Sequence, residues 1–267
     1  MDMKNFLKID LNFYGKIDMN KNFKNIKILT FDIFGTLLNL KDSMLPYLES
    51  NLKISDSKIL VTDIWNTWRD RQRIEQYQDN ILMLGHSGYL KTCEIALKYT
   101  LEKHKISYSQ EIVDKIMKGW NYLKPFDDVI ENLNELKKKF KLVALSNGEQ
   151  YYLEHLAKNQ MKFDFDCIIS VQEAGQFKPS PAVYRKASKL LKTNSENIMM
   201  VASHSFDVIG AKACGYQSSY IDRYDLPLED LGYDVDIHVQ NFDQFKEYIL
   251  NSKISNITNK NLKKIIE

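Results

Sequence analysis

The chain has 267 residues and a mass of 31.3 kDa, enough to bury a full core in one large domain or in a core with a smaller companion. Hydrophobic residues at 44% and aromatics at 12% are globular values, and 37 basic against 35 acidic side chains leave a net charge of +2, which excludes the strong field of a nucleic-acid or acidic-membrane binder. Cys93, Cys167 and Cys214 are odd in number, widely spaced and without a C-x-x-C pair, so neither a disulfide framework nor a zinc site is expected and a reducing, cytoplasmic setting fits. No stretch of about 18 uninterrupted apolar residues and no secretory apolar core occurs, so the expectation is a non-secreted chain without a membrane span.

In chain order, residues 1–22 read as an N-terminal extension without a motif. Ile26 to Phe31 is an apolar, β-branched and aromatic run of strand length that delivers Asp32 to a turn. Gly35 allows a positive φ in that turn and Thr36 supplies a hydroxyl that can hold the carboxylate. An unpaired carboxylate there costs several kcal/mol, so such an Asp is paired, metal-bound or chemically employed.

From Asp42-Ser43, a helix start, to Trp120 the pattern is helical: Leu60, Ile64 and Trp68 repeat at four, and Cys93, Ala96, Leu97, Thr100 and Leu101 follow the three-to-four spacing, as do Val113, Ile116, Met117 and Trp120. Gly85 to Gly88 turns the chain between helices. Residues 45–120 are therefore a small helical domain, and its arginines Arg69, Arg71 and Arg73 read from spacing alone as a solvated face.

From Leu123 helix and strand alternate. Val129, Leu133, Leu136 and Phe140 give a helix; Leu142 to Leu145, Cys167 to Ser170 and Ile198 to Ala202 give strands; Ser180-Pro181 opens a helix as N-cap and first-turn proline, continued by Val183, Ala187, Leu190 and Leu191. Gln217 to Ile221 and Val235 to Val239 are shorter last strands, and residues 251–267 a polar C-terminal tail. Mostly apolar strands between amphipathic helices predict an α/β fold: a Rossmann-like, doubly wound parallel sheet formed by residues 23–44 and 121–250, with the helical domain inserted after the first strand. In such sheets the ligand site lies beyond the carboxyl ends of the strands.

Four residue sets follow those ends: Asp32, then Ser146-Asn147-Gly148, then Lys178-Pro179, then Ala202-Ser203-His204-Ser205-Phe206-Asp207. Singly they read as a turn, another turn, a surface lysine and a helix cap. Their conjunction in this order is not so easily dismissed. Phe31-Asp-Ile-Phe-Gly-Thr-Leu, Leu145-Ser-Asn-Gly, Phe177-Lys-Pro with Tyr184, and Val201-Ala-Ser-His-Ser-Phe-Asp resemble the motifs of the haloacid dehalogenase-like superfamily, in its type II, L-2-haloacid dehalogenase branch, over residues 25 to 245.

The resemblance implies a core with a helical cap and a hydrolase that converts (S)-2-haloacids to (R)-2-hydroxyacids through an aspartyl ester, without metal or other cofactor. Asp32 would be the nucleophile, Lys178 would keep it anionic, Asp207 would position or deprotonate the hydrolytic water, and Thr36 and Ser146 would hold carboxylate oxygens. Trp68-Arg69, followed by Gln72 and Tyr77, is similar to the family's cap segment, so Arg69 and Asn147 would receive the halide. Phe34, Tyr89, Tyr184, Ser203, His204 and Phe206 would shape the substrate site. The implied partner is a small 2-haloacid, with no nucleic acid and no membrane, in a homodimer.

Phosphatases of the superfamily carry a second Asp two residues after the nucleophile; here that position is Phe34, which can neither protonate an alkoxide nor bind a hard cation. A phosphatase or other small-molecule hydrolase on the same scaffold is the first alternative, and a non-catalytic binding protein the second.

Overall fold

The computed structural model describes residues 23–54, 58–229 and 231–251. The expected N-terminal extension and nearly all of the polar tail lie outside them. Six parallel strands form the central sheet: β1 (Ile28–Phe31), β4 (Lys141–Ser146), β5 (Cys167–Ser170), β6 (Ile198–Ala202), β7 (Gln217–Ile221) and β8 (Ile237–Val239), in the order β5-β4-β1-β6-β7-β8. Every residue of β1 and β6 is buried, as continuous apolar runs in a sheet covered on both faces require. β1 pairs with β4 from Ile28↔Lys141 to Phe31↔Ala144 and with β6 from Ile28↔Ile198 to Phe31↔Val201.

The chain leaves β1 toward β4 and β5, then returns to β6 on the other side of β1 and continues outward to β7 and β8. Successive connections therefore diverge between β1 and β6, and the crevice at their carboxyl ends is where such a sheet accepts a ligand. Asp32 follows one of these strands and Ser203 the other.

Between β1 and β4 lie α1 (Leu40–Asn51), α2 (Val61–Ile81), α3 (Tyr89–Lys103) and α4 (Gln110–Met117), with a 3₁₀ turn at Lys118–Tyr122. The two-residue strands β2 (Leu38–Asn39) and β3 (Lys124–Pro125) pair antiparallel at the root of this helical block. α1 starts earlier than Asp42-Ser43: Asn39 is its N-cap and accepts the Asp42 N–H at 3.2 Å. Leu60 is not part of the buried repeat but caps α2 and is 61% exposed, whereas Ile64 and Trp68 are fully buried. Trp68 donates its indole N–H to Cys93 O at 2.7 Å, which ties α2 to α3. α2 runs for 21 residues, about 30 Å, and crosses above the strand ends.

The remaining helices cover the sheet: α5 (Val129–Lys137), α6 (Gln150–His155, extended as a π-helix to Met161), α7 (Pro181–Leu191), α8 (Ser205–Ala213) and α9 (Phe242–Asn251). α7 begins as the sequence predicts, with the Ser180 hydroxyl accepting the Ala182 N–H, although Leu190 faces solvent at 44% exposure. β8 is shorter than Val235–Val239 and starts at Ile237. No helix among the described residues is long and apolar enough to cross a membrane.

Candidate active site

At the carboxyl end of β1 the Asp32 N–H still donates to Val201 O at 3.1 Å, so β6 fixes the backbone that carries the carboxylate. Gly35 then turns the chain at φ +84°, with its N–H on Leu38 O at 3.0 Å and its carbonyl accepting the Tyr224 hydroxyl at 2.7 Å. The turn aims the Thr36 hydroxyl back at Asp32 Oδ2, 2.9 Å away, while the Ser203 N–H donates to the same hydroxyl at 2.9 Å. One threonine thus ties the β1 turn to the β6 turn.

Lys178, 1% exposed, reaches the same place from the loop after β5. Its ammonium lies 2.7 Å from Asp207 Oδ2 and 3.4 Å from Asp32 Oδ1 and donates to Leu145 O at 2.5 Å. Burial alone would raise the Asp32 pKa, but the Lys178 charge, with hydrogen bonds from His204 and Thr36, holds it down to about 2. Asp207 goes the other way, up to about 6, because burial and the Asp32 charge outweigh what Lys178 returns to it. Asp32 is the more acidic of the two and stays ionised at every pH at which Asp207 is.

His204 Nδ1 is 3.4 Å from Asp32 Oδ2. Burial lowers the His204 pKa, only partly opposed by Asp32, so the ring is neutral at neutral pH.

The cleft over Asp32 is narrow, with a cavity volume of about 20 Å³. Its floor holds Asp32, Asn147 and Lys178; Phe34, Tyr89, His204 and Phe206 form walls; α2 roofs it. Phe34 stacks on Tyr89 with ring centroids 4.0 Å apart and planes 10° from parallel. Gly148 permits this wall, since a Cβ there would meet the Phe34 ring at 3.0 Å. Arg69 bonds the Gln72 carboxamide oxygen and lies over Trp65 and Trp120 at 5.7 and 5.6 Å.

The structure therefore brings Asp32, Phe34, Arg69, Tyr89, Asn147, Lys178, His204 and Phe206 to one cleft, with Thr36 bonded directly behind the carboxylate. Asp207 and Tyr184 stand one layer back: the Tyr184 hydroxyl donates to Asp207 Oδ1 at 2.8 Å, so both Asp207 oxygens are occupied. Tyr184, expected to touch substrate, is fully buried and supports Asp207 instead. Ser146 and Ser203 are also behind the walls, their hydroxyls buried and without a hydrogen-bond partner.

Arg73 departs from the expected solvated face and lines the cleft with Gln72 and Gln76. Arg71 does lie outside, paired with Glu75 at 2.5 Å. The sequence carried a signal for this stripe: residues 69, 72, 73 and 76 share one helix face.

A second layer comes from the end of α2 and the loop that follows it, and was not legible. The Asn80 side chain accepts the Phe177 N–H at 2.7 Å and donates to Phe177 O at 2.8 Å. His86 Nε2 donates to Asn147 O at 2.8 Å, Asn147 Nδ2 donates to Gln76 Oε1 at 3.2 Å, and Asn147 Oδ1 accepts the Lys178 N–H at 2.9 Å. Asn80 of α2 and His86 of the following loop thus hold the backbone at Phe177 and Asn147.

This arrangement suits displacement at carbon by a carboxylate: an ionised, aligned oxygen under a cleft whose far side is cationic. A haloacetate dehalogenase of Moraxella sp. (strain B) is 29% identical over 81% of this chain and 94% of its own, and an (S)-2-haloacid dehalogenase of Pseudomonas putida is 27% identical over 86% and 99%. The solved L-2-haloacid dehalogenase of Xanthobacter autotrophicus with chloropropionic acid covalently bound superposes with a TM-score of 0.73 at 23% identity, over 84% of this chain and 98% of that one. The family model for haloacid dehalogenase-like hydrolases matches residues 26–215, and the chain belongs to that family.

Proposed function

We propose that the protein is a hydrolytic dehalogenase that converts (S)-2-haloacids to (R)-2-hydroxyacids through an ester on Asp32, without a metal ion. The observation that carries this reading is an ionised, lysine-held Asp32 facing an aromatic wall, Phe34 on Tyr89, where a general acid would stand. A halide leaves without a proton; an alkoxide does not.

The donor set does not fit a divalent cation. The Lys178 ammonium already supplies the positive charge beside Asp32 and Asp207, and Phe34 offers no oxygen. Among the described residues no group of three or more His, Cys, Asp and Glu side chains is disposed to hold one.

In the first step an Asp32 oxygen attacks C2 and the carbon–halogen bond breaks with inversion, the halide receiving donors from Arg69 and Asn147. Water then adds to the Asp32 carboxyl carbon. His204, neutral and in contact with the carboxylate, takes a proton from that water. Asp207, with both oxygens occupied, holds Lys178 in place rather than touching the water. Collapse releases the hydroxyacid and restores Asp32, with one proton passing to solvent. The helical block of residues 45–120 acts as the cap over this chemistry, and the two halves of the core as its base.

The test is bromide release from (S)- and (R)-2-bromopropanoate by the purified protein in EDTA, with Asp32→Asn as control. Release from the (S)-isomer alone, abolished in the variant, is expected. Phosphate release from phosphomonoesters in magnesium, with no bromide from either isomer, would replace this reading by a phosphatase.

A further inference from the structure

The polar stripe of α2 exceeds what a single halide or carboxylate calls for. Arg69 and Arg73 both line the cleft above Asp32, one helical turn apart, which is about 6 Å along the axis. Among the described residues the arginine ion pairs are Arg71 with Glu75 and Arg223 with Asp128; Arg69 and Arg73 form none. Arg69 is at least engaged by Gln72 and two indole rings. Arg73 makes no hydrogen bond to any described residue.

Two like charges side by side in a partly buried cleft repel each other. Burial and the Arg69 charge both press the Arg73 pKa down, and Asp70, Tyr77 and Tyr224 only partly offset them. Asp70 is exposed and lies beyond ion-pair distance of either guanidinium. The cost of this pair is recovered when anions occupy both guanidinium groups. Lys178 is not free to help, since Asp32 and Asp207 already share it.

With the departing halide on Arg69, the chemistry that answers the second guanidinium, one turn away, is a further acidic group on the same small molecule. A 2-haloacid with a second carboxylate on its third carbon spaces its carboxylates at several ångströms, on the scale of one turn. Its reacting carbon can then sit over Asp32 while the distal acid meets Arg73.

We infer that Arg73 is the specificity-determining residue for a second acidic group, and that the preferred substrates are 2-halodicarboxylates such as (S)-2-bromobutanedioate. This rests on the haloacid reading above and narrows it. The guanidinium of Arg73 forms the distal ion pair, whereas an aliphatic side chain there would favour an alkyl tail.

The experiment is bromide release from (S)-2-bromobutanedioate and (S)-2-bromopropanoate by the wild-type protein, Arg73→Met and Arg73→Lys. Wild type is expected to prefer the dicarboxylate in kcat/KM by about tenfold or more, the size of one partly buried ion pair. Arg73→Met loses most of that ratio through KM for the dicarboxylate, and Arg73→Lys regains part of it. Calorimetry with Asp32→Asn provides a reading without turnover: butanedioate binds more tightly than propanoate, and Arg73→Met in that background removes the difference. A wild-type preference for the monocarboxylate, or equal losses on both substrates in Arg73→Met, overturns the inference and leaves the dehalogenase reading standing. No bromide from either compound overturns both.

Discussion

Replacing Lys178 by Met isolates the electrostatics of Asp32, the proposed nucleophile. The ammonium is 3.4 Å from Asp32 Oδ1 in a site that water barely reaches. At an effective dielectric of about 20 that pair is worth ~5 kcal/mol, or ~3.6 pKa units. Removing it lifts Asp32 from about 2 to between roughly 5 and 6, with burial now unopposed by the cation. The assay is the single-turnover rate of bromide release from pH 4.5 to 8, which reports the attack step alone. Wild type is expected to be flat across this range, because Asp32 stays ionised throughout. Lys178→Met is expected to lose rate on the acid side with an apparent pKa near the shifted value. It also leaves Asp207 without its counter-charge, costing roughly 3–5 kcal/mol of stability, so the comparison belongs well below the melting temperature. A flat profile in Lys178→Met would refute the claim that Lys178 sets the ionisation of Asp32.

Asp207 predicts a pH effect of the opposite sign on folding. Its folded pKa is raised to about 6 from 3.8, so the native state binds the proton more tightly than the unfolded chain. Stability is therefore gained as pH falls through 6, by ~2 kcal/mol at pH 4.5 and toward a limit of ~3 kcal/mol below 3.8, and lost again as pH rises. Urea midpoints at pH 7 and 4.5 should show this gain in wild type and not in Asp207→Asn. Gly35→Ala places a Cβ 2.8 Å from the Tyr224 hydroxyl and 3.0 Å from the His204 ring at a φ of +84°; we expect a loss of roughly 1–3 kcal/mol in thermal unfolding, with slowed ester hydrolysis from a displaced His204. Asn80→Ala leaves the Phe177 N–H unpaired, while Phe177 O keeps the Ser180 N–H at 3.1 Å, a loss of about 1–3 kcal/mol by denaturant unfolding, and lowers kcat through Lys178 on the next residue.

The strands at Cys167–Ser170, Ile198–Ala202 and Gln217–Ile221 coincide with the sequence reading because each is an apolar run bounded by turns, a signal local in the chain. The paired strands β2 and β3 are two residues long and show no period that a reader could find. α6 and α9 carried buried positions at helical spacing that were not singled out, among them Tyr152, Leu153 and Leu156, and Phe242, Phe245 and Ile249. In the site, Asp32 is legible because a charge at the end of an apolar strand conflicts with its surroundings, and Lys178, by itself a surface lysine, is legible only through its place in the order of residue sets that follow the strands. Arg73 and Gln76 share the helix face of Arg69, but that spacing does not say which way the face points, because a polar stripe on α2 looks the same whether it faces solvent or a cleft. Asn80 and His86 act on backbone 97 and 61 residues away, and no spacing along the chain encodes that.

The seam between α2 and the core bears on how such proteins diversify. Asn80 grips the backbone beside Lys178, and Gln76 and His86 grip Asn147, so the inserted helices carry part of the foundation of the catalytic loops. A chimera that exchanged residues 45–120 for the equivalent segment of another hydrolase would inherit a new roof and lose these grips. New selectivity is more readily reached by single changes along the inward stripe of α2 than by trading the insertion whole.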